Sequence, residues 1–314
     1  MAKEIIIVVQ MTMRSKKREK EEIFTFDEYP GIEVRPSVIN VDDVEELVPA
    51  ASKFPGLVKW LLHVFGIEEV NRIHSTWCKT PGPEFTKHLM EDEFDIGLQV
   101  DGMDILERFK EGPFITVSNH PFGQLDGIAL IYLVTRLRPD YKVMVNMILN
   151  RISAMRPNFI AVDQSASSDP EKRKVSVAGV REALSMLKDG KPVGFFPAGA
   201  IGMTDKDGII VDRPWQPVVL QIIQKAKVPV IPIYFHGNNS RIFNFLGHHC
   251  VPLRTALLAK ELFKKKGKPL HITVGEPITV QKQAEFGRDY EALGWYIRMQ
   301  MYDLSGRHVT TLSK

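Results

Sequence analysis

From about residue 98 onward, short β-branched runs alternate with helix-length amphipathic segments, and no other feature restricts the fold as much. Strand-like runs are read at 114–118, 141–145, 159–162, 193–196, 228–235 and 271–274. Helical patterns lie at 125–137, 171–188, 215–227 and 290–302. In the 171–188 segment Val177, Val180, Leu184 and Leu187 share one stripe, and Asp189-Gly190 closes it. Strands separated by a helix-length connection pair in the same direction, because a tight hairpin is not available to them. The expected fold class is α/β: a mixed, mainly parallel sheet flanked by helices. Ahead of it, 54–78 reads as helical with a break at Gly66, and the Thr80-Pro81-Gly82-Pro83 breaker precedes a second helix over 84–94. The predicted organisation is an arm of unknown role over 1–50, an N-terminal helical hairpin over 51–97 and an α/β domain over 98–314.

Charge and length exclude several classes of function. The 314 residues carry 41 Lys and Arg against 38 Asp and Glu, a net charge of +3. So mild an excess does not suit a nucleic-acid partner, which calls for a concentrated basic face. It does suit an anionic membrane surface where the charges cluster, as in 14–20 and 260–268. Each run also reads as an ordinary solvated face. Two cysteines, Cys78 and Cys250, provide no disulfide framework and fit a reducing compartment. His248-His249-Cys250 lacks the spacing of a metal site, so no metal is expected. No apolar stretch approaches the ~20 residues of a membrane span. Ile5 to Val9 is too short for a secretory leader. A lipid substrate would therefore be met by a peripheral protein. The stretch 163–170 reads as a polar loop.

The segment Ser118-Asn119-His120-Pro121-Phe122-Gly123-Gln124-Leu125-Asp126-Gly127 follows a strand and precedes a helix. In open α/β sheets ligands sit beyond the carboxyl ends of strands, which is where His120 falls. Pro121 and Gly123 permit a tight turn that folds Asp126 back toward the imidazole. A histidine titrating near neutrality can take a proton from an attacking hydroxyl or amine. A carboxylate on its other nitrogen fixes the tautomer and stabilises the imidazolium. The same residues would also serve as a helix-start histidine and a capping aspartate. Neither cysteine lies in a motif and no Gly-x-Ser-x-Gly is present, which argues against an α/β-hydrolase.

The longer string Asn-His-Pro-Phe-Gly-x-Leu-Asp-Gly resembles the active-site block of the lysophospholipid acyltransferase superfamily, in its hemolysin-like, glycine-lipid-type branch. Five residues separate His120 from Asp126, as in that branch, whereas the wider superfamily has four. Gly194-Phe195-Phe196-Pro197-Ala198-Gly199 resembles the Phe-Pro-Glu-Gly block, with Ala198 in place of the glutamate. Ala200-Ile201-Gly202 stands where the phosphate-binding Thr-Arg-Ser continuation would be. Val228 to Ile233 is similar to the last block, and His236 to Arg241 to the branch's Gly-x-Asn-Ser segment. Arg156-Pro157-Asn158-Phe159-Ile160 occupies the place of the second block. The likeness spans roughly residues 55 to 280.

The resemblance implies an acyltransferase with His120 as general base and Asp126 orienting it. Asn119, Gly123, Phe196, Pro197, Gly199 and Asn239 are the substrate-binding positions it suggests. Arg156, and Arg213 beside Pro214-Trp215, are candidate anion ligands. Backbone N–H groups near Gly199 or Gly123 would hold the oxyanion. The donor would be an acyl-ACP or acyl-CoA thioester, that is, acyl carrier protein or coenzyme A. No metal or redox cofactor is called for, because the thioester carries the driving force. The missing Thr-Arg-Ser favours a lyso amino-acid lipid as acceptor over 1-acylglycerol-3-phosphate, which stays as the alternative. Such an enzyme would be cytoplasmic, peripheral on the inner face of the cytoplasmic membrane. From a different class, the chain could be a membrane-binding or lytic protein, or a non-catalytic lipid-binding module. The apolar face around Trp60, with Lys53 and Lys59, would rest on lipid or pack on the α/β domain.

Overall fold

The computed structural model describes residues 6–7, 22–163, 170–205 and 208–306. The basic run 14–20 and most of the 163–170 loop lie outside them. The centre is a seven-stranded sheet: β1 (Leu98–Asp101), β2 (Ile115–Ser118), β3 (Lys142–Asn146), β4 (Phe159–Val162), β5 (Val193–Phe195), β6 (Val230–Phe235) and β7 (Leu270–Val274). Their order is β1-β7-β6-β2-β5-β3-β4. All neighbours run parallel except β6 and β7. The mixed, mainly parallel α/β sheet expected from the alternation is the one observed. Strand β1 was not read from the sequence, because its four residues alternate between half-buried and exposed at the sheet edge.

Helices cover both faces. The segment 55–77 divides at Gly66 into α1 (Pro55–Val64) and α2 (Ile67–Trp77), and α3 (Pro83–His88) follows the proline–glycine break. Next come α4 (Gln124–Thr135), α5 (Pro170–Lys188) and α6 (Pro217–Ala226). The last are α7 (Arg241–His249), α8 (Val251–Ala256), α9 (Leu258–Phe263) and α10 (Tyr290–Asp303). Nine of the twelve α4 residues are buried, as befits a helix that is apolar on every side. It lies on one face of the sheet with α3, sharing a core with Phe85, Met90 and Leu262. Helices α5, α6 and α10 supply Leu187, Ile223 and Ile297 to the core on the other face. Phe24 and Val34, from the first 50 residues, exchange backbone hydrogen bonds and are buried in the α4 core.

Two expectations need revision. The segment 241–263 holds three helices where none was read. Each is only six to nine residues long, too short for a periodic pattern to stand out. The basic run 260–268 is partly engaged: Lys264 pairs with Glu261 at 2.6 Å and Lys265 donates to the Asn238 carbonyl at 2.6 Å. The apolar face of α1 does not pack on the domain. Phe54, Leu57 and Trp60 are exposed, and Val58 alone among the α1 residues is buried.

One side chain stitches the strand ends that carry the site. Asn119 Nδ2 donates to the Phe235 carbonyl at 3.0 Å, and its Oδ1 accepts from the Phe235 N–H at 2.7 Å. Asn119→Ala leaves two buried backbone groups of Phe235 unpaired. It is expected to cost about 2–4 kcal/mol of unfolding free energy in urea titration. A loss below the scatter of the titration would show that the clamp carries no load.

Candidate active site

Strand β2 ends at Ser118, and two residues later His120 lies at the carboxyl edge of the sheet, before α4. The turn between them depends on Gly123, whose φ is +85°. A Cβ there would come within 2.7 Å of the Ile201 side chain, so only glycine fits. The turn brings Asp126, in the first turn of α4, back under the imidazole. His120 Nδ1 stands 3.0 Å from Asp126 Oδ2. The contact is short but bent, falling outside straight N–H···O geometry. Oδ2 also accepts the N–H groups of Phe122 and Gly123, both at 2.9 Å. Asp126 has no exposed surface, whereas His120 is 19% exposed. Burial holds the Asp126 carboxyl above the usual carboxylate range, and His120 and the two N–H groups offset only part of that rise. With Nδ1 turned to Asp126, Nε2 is the nitrogen left for substrate.

The backbone of His120 is gripped as firmly as its ring. Its N–H donates to Asp212 Oδ1 at 3.1 Å, and its carbonyl accepts from the Gly202 N–H at 2.9 Å. Asp212 is buried, and burial pushes its carboxyl up to about 6. Its own N–H donates to the Tyr302 hydroxyl and its carbonyl accepts from Arg298, each at 2.6 Å. Sequence reasoning missed Asp212. It lies 92 positions from His120, and only the chain path after β5 brings the two together.

His120 borders a cavity of about 450 Å³. The cavity runs along Ile128 and Ile131 of α4 toward Phe85 and Leu89 of the N-terminal helices. Its lining is dominated by apolar side chains, as suits a hydrocarbon tail. The Phe196 ring lies 4.3 Å from the imidazole, centroid to centroid. Gly199, Ala200, Ile201 and Arg213 also face the cavity. The donors expected near Gly199 or Gly123 narrow to particular groups. The Gly123 N–H is spent on Asp126 and the Gly199 N–H on the Phe196 carbonyl at 2.9 Å, so neither can meet an oxyanion. The N–H groups of Ala200 and Ile201, next in the chain, have no partner among the described residues.

The remaining expected positions divide. Phe196, Gly199, Gly123 and Arg213 converge on the cavity with His120. Asn119 and Asn239 do not reach it. The first holds Phe235, and the second donates to the Phe122 carbonyl at 3.0 Å, bracing the turn from behind. The Pro197 carbonyl accepts from Gln216 at 2.9 Å and anchors the start of α6. Arg156 lies apart, donating to the Glu33 carbonyl at 3.2 Å in a separate surface cleft. Arg254, from α8, is a cavity residue that the sequence did not reveal. Among the described residues no three side chains are grouped to hold a metal, and no helix is long and apolar enough to cross a membrane.

The family model described as acyltransferase matches residues 44–306. The chain is 29% identical over 232 residues to a lyso-glycine lipid O-acyltransferase of Bacteroides thetaiotaomicron, covering 72% of this chain and 81% of that one. It is 26% identical over 232 residues to the protein of the same name from Phocaeicola vulgatus, covering 72% and 79%. Among solved structures, the 1-acyl-sn-glycerophosphate (LPA) acyltransferase PlsC from Thermotoga maritima aligns with a TM-score of 0.43 and 18% identity, over 80% of this chain and 89% of that one.

The raised Asp212 carboxyl has a measurable consequence. A group whose folded value lies above its unfolded one holds its proton more tightly when folded. Its stabilising contribution is complete below about pH 4 and is lost as pH rises through about 6. Asp212→Asn keeps the shape and cannot ionise. The variant should gain on the wild type between pH 4 and 6, by up to about 1.4 kcal/mol per pH unit in denaturant titrations. A flat difference across that window would remove Asp212 as the titrating group.

Proposed function

This chain belongs to the acyltransferase family, and from that premise we propose that it acylates a lyso-lipid at a membrane surface. The donor is a fatty acyl thioester on acyl carrier protein or coenzyme A. The acceptor is the hydroxyl of an acylated amino-acid lipid, and the product belongs to membrane lipid biosynthesis. The observation that carries the reading is the His120–Asp126 pair at the mouth of an apolar cavity. The names of the two relatives favour the amino-acid acceptor.

The reaction uses what the site holds. The acceptor hydroxyl approaches His120, and Nε2 takes its proton as the oxygen attacks the thioester carbonyl. Asp126, against Nδ1, stabilises the imidazolium. The carbonyl oxygen takes the negative charge and meets the free N–H groups of Ala200 and Ile201. Collapse of the tetrahedral intermediate breaks the carbon–sulfur bond. The proton on His120 passes to the departing sulfur, leaving an O-acyl lipid and a free thiol. The acceptor is itself the nucleophile, so no enzyme nucleophile, metal or redox cofactor enters.

Residues at the cavity rim support a peripheral position at a membrane surface, which the proposal sets on the inner face of the cytoplasmic membrane. Ile148 and Val251 both line the cavity and are 58% and 50% exposed. An opening bordered by apolar side chains suits a substrate that arrives from a bilayer.

Thiol release from an acyl thioester tests the reaction. His120→Ala is expected to lose roughly 10²–10⁴-fold in rate with its fold intact by circular dichroism. Full activity in that variant would end the proposal. Turnover of lysophosphatidic acid with none of a lyso amino-acid lipid would reassign the acceptor.

A further inference from the structure

One cavity residue plays no part in the proton transfer. Arg254 is 5% exposed, yet among the described residues no carboxylate faces it. One guanidinium nitrogen donates to the Gly202 carbonyl at 2.6 Å, and Nε is buried without a partner. The guanidinium carbon lies 4.8 Å from the centre of the Phe243 ring. Gly247 makes room for it, because a Cβ there would stand 3.2 Å from the guanidinium carbon. Arg213 lines the same cavity and is also without an ion-pair partner among the described residues. Burial, and then the charge of Arg213, pull Arg254 below the usual guanidinium range. A buried guanidinium on an apolar pocket, with a second cation beside it, is costly to maintain unless a ligand brings the missing negative charge.

Gly202 ties this pair to the chemistry. Its N–H donates to the His120 carbonyl and its own carbonyl receives Arg254, so a single residue separates the guanidinium from the catalytic histidine. From Ala198 to Gly202 no side chain offers a hydrogen-bond donor. The arginines must therefore serve any anion there with little help. A guanidinium fork grips a carboxylate through two parallel N–H···O bonds, and one carboxylate already brings the counter-charge that Arg254 lacks.

We infer that Arg254 and Arg213 bind the free carboxylate of the acceptor's amino-acid head, a few bonds from the hydroxyl presented to His120. The inference rests on the lyso-lipid reading above and adds the group by which the acceptor is chosen.

The purified full chain is assayed for thiol release with one thioester and three acceptors of equal chain length: a lyso amino-acid lipid with a free carboxylate, its methyl ester, and a lysophosphatidate. Wild type is expected to favour the free acid over the ester by at least about tenfold in kcat/KM, the value of one charge-assisted contact. Arg254→Gln should bring the ratio close to one by raising KM for the acid. Arg213→Gln, at an exposed position, should lower the ratio part-way. A wild-type ratio near one, or a ratio unchanged in both variants, overturns the assignment. So does lysophosphatidate turned over as well as the free acid. In each of those cases acyl transfer itself stands. Silence with every acceptor would instead overturn the function proposed above.

Discussion

A carboxylate sealed from water and set against a half-open imidazole is the interaction on which the rest of this protein turns. Asp126 has no exposed surface and holds two backbone N–H groups on the oxygen that faces His120. Those N–H groups compensate much of what burial costs, and they fix the carboxylate where a freely rotating side chain would wander. The turn from Pro121 to Gly123 is therefore part of the site, because the backbone that spaces the two residues also supplies the donors.

Around that pair the structure spends its polar groups on position. Asp212 and Gly202 take the two backbone groups of His120, Asn119 ties the end of β2 to β6, and Asn239 braces the turn. None of these side chains needs to meet substrate to matter. In the proposed reaction the base has to reach a hydroxyl within hydrogen-bonding distance and tolerates little drift, so rigid support of this kind suits that role. The groups without a partner among the described residues are the informative ones: the Ala200 and Ile201 N–H groups, and Nε of Arg254. They lie on the cavity wall, where a carbonyl oxygen and an anionic head would complete them.

The outer surface carries the same logic at larger scale. Phe54, Leu57 and Trp60 on α1, and Ile242 and Phe245 on α7, remain exposed although the core is otherwise well filled. With Val251 and Ile148 at the cavity rim, they give the protein oily faces without a spanning helix among the described residues. An enzyme whose substrates are amphiphiles meets both of them at an interface, and such faces suit that approach.

The sequence alone determined the layer architecture and the central pair. Strand and helix alternation is a local, periodic signal, and His120 and Asp126 lie six positions apart on a turn whose proline and glycine announce its shape. The same locality made Phe196 and Gly199 legible through their block at the end of β5. The tertiary structure alone decided what surrounds them. It turned Asn119 and Asn239 from candidate substrate ligands into braces, moved Arg156 to another cleft, and left the Ala200 and Ile201 N–H groups, beside Gly199, as those without a partner among the described residues. It also brought in Asp212 and Arg254 from distant segments. Partners far apart in the chain leave no spacing to read, and whether a polar group is free or spent depends on packing that only the closed fold creates.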